Sequence, residues 1–158
     1  MILVSNARTV KVVLKMSLVR VLVADNFEPW RQMVCDLLEG APDLIVVRLA
    51  SNGPDVVREA GELLPDLIIL DVELPGLNGI DGVRLIHELC PATKILFLSL
   101  NSEGEVVRSC LEAGANGYVL KTDVLGDLLA GVRAVIAGKQ FVSSGLVKVH
   151  RAPRDPKE

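Results

Sequence analysis

A doubly wound α/β domain with a parallel sheet of five strands and five helices is the fold that the sequence predicts. Short segments rich in Val, Ile and Leu alternate with segments of helical periodicity, as in sheets built from right-handed crossovers. The chain has 158 residues, which is room for one domain with short appendages. Half of the residues are hydrophobic and 23% are charged, a balance that excludes wholesale disorder.

The five predicted strands are short apolar runs that lack a polar face. Such runs are typical of parallel strands that are buried on both faces of a sheet. The predicted strands are Leu18–Ala24, Leu44–Leu49, Leu67–Leu70, Ile95–Leu100 and Gly117–Leu120.

Apolar residues at intervals of three and four predict a helix after each strand. In the first helix they are Trp30, Met33, Val34, Leu37 and Leu38, and in the last they run from Leu125 to Ile136. Pro54 suits the first turn of the second helix. Further signals are the predicted N-cap Asn78, the capping-box spacing of Ser102 to Glu105, and the glycines expected to end helices in the left-handed region, Gly40, Gly114 and Gly138.

The two ends of the chain lack this alternation, so we assign the domain to residues 18–140. Residues 1–17 are basic and contain no acidic residue, and they are expected to be a loosely ordered leader or to precede a true start at Met16. Residues 141–158 become polar and include two prolines, which favours a C-terminal tail or the start of a linker.

Composition argues against direct nucleic-acid binding and against a membrane span. The net charge is −3, and one Trp, one Tyr and three Phe offer little surface for base stacking. No apolar run approaches the roughly 20 residues that a spanning helix needs. The three cysteines have no Cys-x-x-Cys spacing, so we expect free thiols in a reducing cytoplasm.

Polar residues lie at or directly after the carboxyl ends of four of the predicted strands. In doubly wound sheets the functional crevice lies outside the carboxyl ends of the strands. That edge would collect Asp25, Asn26, Asp71, Ser99 and Lys121. Two adjacent carboxylates would repel by about 4 kcal/mol at 4 Å, and Mg²⁺ or an ammonium removes that cost. A carboxylate in such surroundings is suited to accept a phosphoryl group.

Four motifs in chain order resemble those of receiver domains in two-component response regulators, and the similarity covers about residues 18–140. The motifs are VLVADN at 21–26, LIILDVELPGLNG at 67–79, ILFLS at 95–99 and GANGYVLK at 114–121. The resemblance implies the flavodoxin-like receiver fold with strand order 2-1-3-4-5. Thr122 after Lys121, in place of proline, is most similar to the NarL/LuxR class, whose members usually carry a helix-turn-helix DNA-binding domain after a linker.

The resemblance also implies roles for individual residues. Asp71 would be the phospho-acceptor, Lys121 would sense the acyl phosphate, Ser99 would be the switch hydroxyl and Tyr118 the aromatic switch residue. Mg²⁺ would be held by Asp25, Asp71 and the main-chain carbonyl of Glu73, with a weaker contribution from Asn26.

Two departures from the family pattern predict inefficient phosphorylation. Asn26 stands where a second acid is common, so the site lacks one negative charge and should bind Mg²⁺ more weakly. Leu100 stands where a small residue is usual, and its bulk is expected to restrict access to Asp71. These departures motivate an alternative, a receiver-like interaction module that works without phosphorylation.

The partner implied by the resemblance is a sensor histidine kinase. The output surface would be the fourth and fifth helices, at 106–114 and 122–135, which would bind a second copy or a downstream protein. An enzymatic role, such as a phosphohydrolase with an aspartyl nucleophile, is not expected because no substrate-enclosing insertion is visible. A further alternative is a truncated DNA-binding transcriptional regulator, since the sequence ends where a linker would begin.

Overall fold

A computed structural model describes residues 18–146, and its centre is a parallel sheet of six strands in the order β2-β1-β3-β4-β5-β6. The predicted leader at 1–17 and residues 147–158 of the predicted tail lie outside the described residues. The strands are β1 (Val19–Ala24), β2 (Leu44–Ala50), β3 (Leu67–Leu70), β4 (Lys94–Ser99), β5 (Gly117–Leu120) and β6 (Phe141–Val142).

Five helices cover both faces of this sheet, which confirms the doubly wound prediction. They are α1 (Glu28–Glu39), α2 (Gly53–Leu63), α3 (Gly79–Leu89), α4 (Gly104–Glu112) and α5 (Val124–Ile136). Buried side chains of α1 and α5 share one apolar cluster with one face of the sheet. Those of α2, α3 and α4 share a second cluster with the other face. Central strands such as β3 are therefore buried on both sides.

The sixth strand is a difference from the five-stranded prediction. Phe141 and Val142 pair in parallel with Gly117 and Tyr118 of β5. The segment is anchored further by Ser143, whose Oγ accepts a hydrogen bond from the Leu120 N–H at 2.9 Å. A two-residue strand followed by polar residues shows no periodicity, so local pattern could not separate it from a tail.

The helix-end signals were correct in part. Asn78 caps α3 through a hydrogen bond that its Oδ1 accepts from the Ile80 N–H at 2.9 Å. Gly114 and Gly138 have φ values of 116° and 80°, as predicted, but Gly40 has φ −66° and is not left-handed. The capping box predicted at Ser102 is wrong, because α4 begins after Glu103, which makes no side-chain cap hydrogen bond.

The cysteines are free thiols, as expected. Cys90 and Cys110 are buried and Cys35 is partly buried. Burial raises the pKa of the Cys110 thiol to about 11, so this side chain is protonated at neutral pH and behaves as a small apolar group. None of the helices within residues 18–146 is both long enough and apolar enough to span a bilayer.

Candidate functional site

Strand register brings the predicted site residues to one edge of the sheet. Ala24 of β1 and Leu70 of β3 are register partners, so Asp25 and Asp71, which follow them, are neighbours. Ser99 of β4 pairs with Leu120 of β5, and Lys121 comes next. The carboxyl ends of four strands thus meet where the sequence places its polar residues.

Lys121 joins the two aspartates in a buried ion cluster. Its Nζ lies 2.6 Å from Asp25 Oδ2 and 2.9 Å from Asp71 Oδ2. The three side chains are only 4%, 6% and 8% exposed, respectively. Two negative charges and one positive charge therefore share a site with little water, where an unpaired charge would be costly.

The second oxygen of each aspartate is held by a main-chain amide. Asp25 Oδ1 accepts a hydrogen bond from the Phe27 N–H, and Asp71 Oδ1 accepts one from the Glu73 N–H, each at 2.9 Å. Every carboxylate oxygen in the cluster has a donor, so both side chains are fixed in orientation. A fixed, buried acceptor beside an ammonium suits an in-line attack on phosphorus.

Ser99 and Tyr118 are both connected to the main chain of Asn101. Ser99 is buried, and its Oγ accepts a hydrogen bond from the Asn101 N–H at 3.1 Å. The Tyr118 hydroxyl donates to the Asn101 carbonyl oxygen at 2.7 Å. The Tyr118 ring is fully buried and lies 6.1 Å from the Phe97 ring, centroid to centroid. The loop between β4 and α4 is therefore held by both side chains.

The burial of Tyr118 predicts a measurable alkaline titration. Burial raises the pKa of Tyr118 to about 12, against about 10 in an unfolded chain. Because the unfolded chain loses this proton first, Tyr118 makes stability fall as pH rises from about 10 to about 12, by roughly 1.4 kcal/mol per pH unit. Tyr118 is the sole tyrosine of the chain. Tyrosinate absorbance should therefore have its midpoint near 12 in the folded protein, and a midpoint near 10 would contradict this.

The remaining predicted residues lie outside the ion cluster. Asn26 and the Glu73 side chain are exposed, and Glu73 reaches the site through its main chain. Leu100 is 62% exposed, so its side chain does not fill the buried site.

Two residues of the site were not predicted from the sequence, Trp30 and Arg31. The Trp30 ring centroid lies 5.0 Å from Lys121 Nζ, and Arg31 Nη1 donates to the Asp25 carbonyl oxygen at 2.6 Å. Helical periodicity assigned Trp30 only to the core, because spacing within α1 cannot show which strand end the helix faces. The signal available in the sequence was an aromatic residue followed by a basic residue in the first helical turn after Asp25.

The oxygen donors fit a hard divalent cation. Among residues 18–146 no three side chains of His, Cys, Asp and Glu cluster as a metal site. Mg²⁺, however, needs only one or two carboxylates, with carbonyl oxygens or water completing its shell. Asp25 and Asp71 could supply the two carboxylates.

Two aspartates and a lysine lie at the strand ends of this doubly wound sheet, an arrangement compatible with a receiver domain. The profile of the family described as response regulator receiver domain matches residues 21–133. The chain belongs to this family.

Relatives in several bacteria support this assignment. The nitrate/nitrite response regulator NarL of Escherichia coli K12 is 36% identical over 129 residues, which are 82% of this chain and 60% of that protein. A protein-glutamate methylesterase/glutaminase of Thermotoga maritima is 40% identical over 101 residues, 64% of this chain and 29% of that protein. The chain thus spans about 60% of the length of regulators such as NarL.

A solved structure shares the fold. The crystal structure of a LuxR-family two-component response regulator from Aurantimonas sp. SI85-9A1 superimposes with a TM-score of 0.79 at 29% identity. The match covers 84% of this chain and 94% of that one. The predicted strand order 2-1-3-4-5 is confirmed as the core of the six-stranded sheet.

Proposed function

We propose that this domain accepts a phosphoryl group on Asp71 from a sensor histidine kinase, with Mg²⁺ bound beside it. The observation that carries the proposal is the buried ion cluster, in which Asp71 Oδ2 lies 2.9 Å from Lys121 Nζ and Lys121 Nζ lies 2.6 Å from Asp25 Oδ2. Membership of the receiver family supports the same role.

The chain's own residues supply the acceptor and its charge partner. An Asp71 carboxylate oxygen forms the new O–P bond while the N–P bond of a phosphohistidine breaks, and the electron pair of that bond returns to the imidazole. Lys121 neutralises negative charge on the transferred group, and the amide of Glu73 holds the carboxylate in place.

Mg²⁺ would be held by Asp25, Asp71 and the Glu73 main-chain carbonyl, with the Asn26 amide oxygen as a weaker donor. When bound, the ion supplies neutralisation of the charge on the phosphoryl oxygens. The exposed Asn26 contributes no negative charge, so we expect weaker Mg²⁺ binding than an acid at this position would give.

Phosphorylation would be transmitted through Asn101. A phosphoryl group adds charge and acceptor oxygens, which attract the Ser99 hydroxyl and the Lys121 ammonium. Ser99 now accepts from the Asn101 N–H, and Tyr118 donates to the Asn101 carbonyl, so a shift of Ser99 disturbs the start of α4. A two-state surface on α4 and α5 needs only a few kcal/mol of such bias.

Membership of the receiver family supports the proposed partners. A sensor histidine kinase donates the phosphoryl group, and a second copy or a downstream protein binds α4 and α5 in the cytoplasm. We propose that this domain is not an enzyme and that it contacts neither a membrane nor nucleic acid directly.

The test is the intact mass of the protein after incubation with acetyl phosphate and Mg²⁺. We expect a gain of one phosphoryl group in the wild type and none in Asp71→Asn, which keeps the shape of the side chain. Peptide mapping should locate the group on Asp71. Modification of another residue, or none at saturating donor, would contradict the proposal.

A second candidate function, an interaction module that does not require phosphorylation, is favoured by Asn26. Its test is the variant Asn26→Asp in the same assay. If the variant becomes phosphorylated while the wild type does not, the natural chain has lost the reaction and the second candidate stands. If both are phosphorylated, and the variant needs less Mg²⁺, the first candidate stands.

A further inference from the structure

The only tryptophan of the chain lies against the lysine of the site. The Trp30 ring centroid is 5.0 Å from Lys121 Nζ, within the range of a cation–π interaction. Both carboxylate partners of Lys121 are at hydrogen-bonding distance, and the lysine side chain is only 4% exposed. The ammonium is therefore held between two anionic oxygens and one aromatic face.

Asp25 accepts hydrogen bonds from residues on both sides of Trp30 and also pairs with Lys121. Its Oδ1 accepts from the Phe27 N–H, and its carbonyl oxygen accepts from Arg31 Nη1, on either side of Trp30 in the sequence. The main-chain N–H of Trp30 in turn donates to the Phe27 carbonyl oxygen at 3.1 Å. The ring packs against the apolar cluster beneath α1 and α5. These hydrogen bonds hold the first turn of α1 against the end of β1, and the indole of Trp30 lies at the site.

We propose that Trp30 is a positioning residue, which holds the Lys121 ammonium against Asp71 for phosphoryl transfer. This inference rests on the proposed function. The indole excludes water from one side of the ammonium, and electrostatic attraction strengthens where water is excluded. The ring also limits the rotamers of a long, flexible side chain, which would otherwise have to be ordered during the reaction.

Two substitutions test whether the aromatic face of Trp30, rather than the apolar volume of its side chain, affects the reaction. Trp30→Leu keeps an apolar side chain but removes the π face, and it should lower the initial rate of Asp71 phosphorylation by about tenfold. Trp30→Phe keeps a smaller aromatic face and should stay within about threefold of the wild type. Rates are compared with acetyl phosphate and Mg²⁺, at a temperature where unfolding curves show every variant folded.

Leu37→Ala is the matched control. Leu37 lies on the same helix and packs against the same apolar cluster as Trp30. The variant loses packing of α1 without touching the lysine, and its phosphorylation rate should stay near that of the wild type. An equal slowing in Leu37→Ala and Trp30→Leu would assign the effect to the helix as a whole and overturn the inference.

The contact between Trp30 and Lys121 can also be detected by NMR without phosphorylating the protein. Protons of the lysine side chain above an indole ring are shifted upfield by its ring current. We expect one lysine ε-methylene resonance to be displaced in the wild type, less displaced in Trp30→Phe, and at its usual position in Trp30→Leu.

The outcomes distinguish this inference from the proposed function. If the wild type is phosphorylated and Trp30→Leu reacts as fast, the inference fails and the function stands. If the wild type is not phosphorylated, the function fails and the resonance alone decides whether Trp30 positions Lys121. A lysine signal that is unshifted in the wild type overturns the inference in either case.

Discussion

Replacing Lys121 with methionine should destabilise the folded protein by about 3–5 kcal/mol and abolish phosphorylation of Asp71. Methionine fills much of the same volume but cannot pair with a carboxylate. The side chains of Asp25 and Asp71 are 6% and 8% exposed, so the substitution would leave two like charges close together in a site with little water. Urea unfolding followed by circular dichroism measures the loss of stability.

The effect of the unpaired charges in Lys121→Met can be separated from a loss of packing by further substitutions. Adding Asp25→Asn and Asp71→Asn to Lys121→Met removes both unpaired charges, and this triple variant should recover most of the lost stability. Asp71→Asn alone should cost much less than Lys121→Met, since Lys121 keeps Asp25 at 2.6 Å. A triple variant as unstable as Lys121→Met would show that charge is not the cause.

Replacing Gly53 with alanine should destabilise the protein by about 3 kcal/mol and slow phosphorylation as well. A Cβ at this position would lie 2.1 Å from Leu77 Cβ and 2.9 Å from the Leu77 main-chain nitrogen. Leu77 belongs to the loop that follows Asp71, and the Gly53 N–H donates to the Pro75 carbonyl in the same loop at 2.7 Å. The loop must therefore move, and with it the Glu73 amide that orients Asp71.

Gly61→Ala is the matched control on the same helix. A Cβ at Gly61 would meet no atom within 4 Å. Since Gly61 lies inside α2, alanine there should raise stability by about 0.5–1 kcal/mol through the lower entropy of the unfolded chain. Thermal unfolding compares the two variants. Equal effects of Gly53→Ala and Gly61→Ala would contradict the steric argument.

The fold was largely predictable because buried parallel strands and amphipathic helices have different local patterns. The runs at 67–70 and 117–120 match β3 and β5, and each of the other three predicted strands differs by one residue at one or both ends. Signals that depend on one or two residues were less reliable. Gly40 is not left-handed, Ser102 does not cap α4, and the short β6 was assigned to the tail.

The placement of Asp25, Asp71 and Lys121 at one edge of the sheet was predictable, but their contacts and the presence of Trp30 and Arg31 were not. Strand ends in a parallel sheet share one edge, so Asp25, Asp71 and Lys121 could be placed together from their positions after predicted strands. Their roles in phosphoryl transfer remain a proposal. The contact of Trp30 with Lys121 depends on how α1 crosses the sheet, and helical spacing carries no information about that direction.

The sequence by itself determined which residues are apolar, in what period they recur and which polar groups follow each strand, because these properties are local to the chain. Only the tertiary structure decided that Lys121 pairs with both aspartates, that Tyr118 donates to the Asn101 carbonyl oxygen, and that Phe141 extends the sheet. These contacts join residues far apart in the chain. Their geometry is set by the packing of whole helices and strands, which no local pattern specifies.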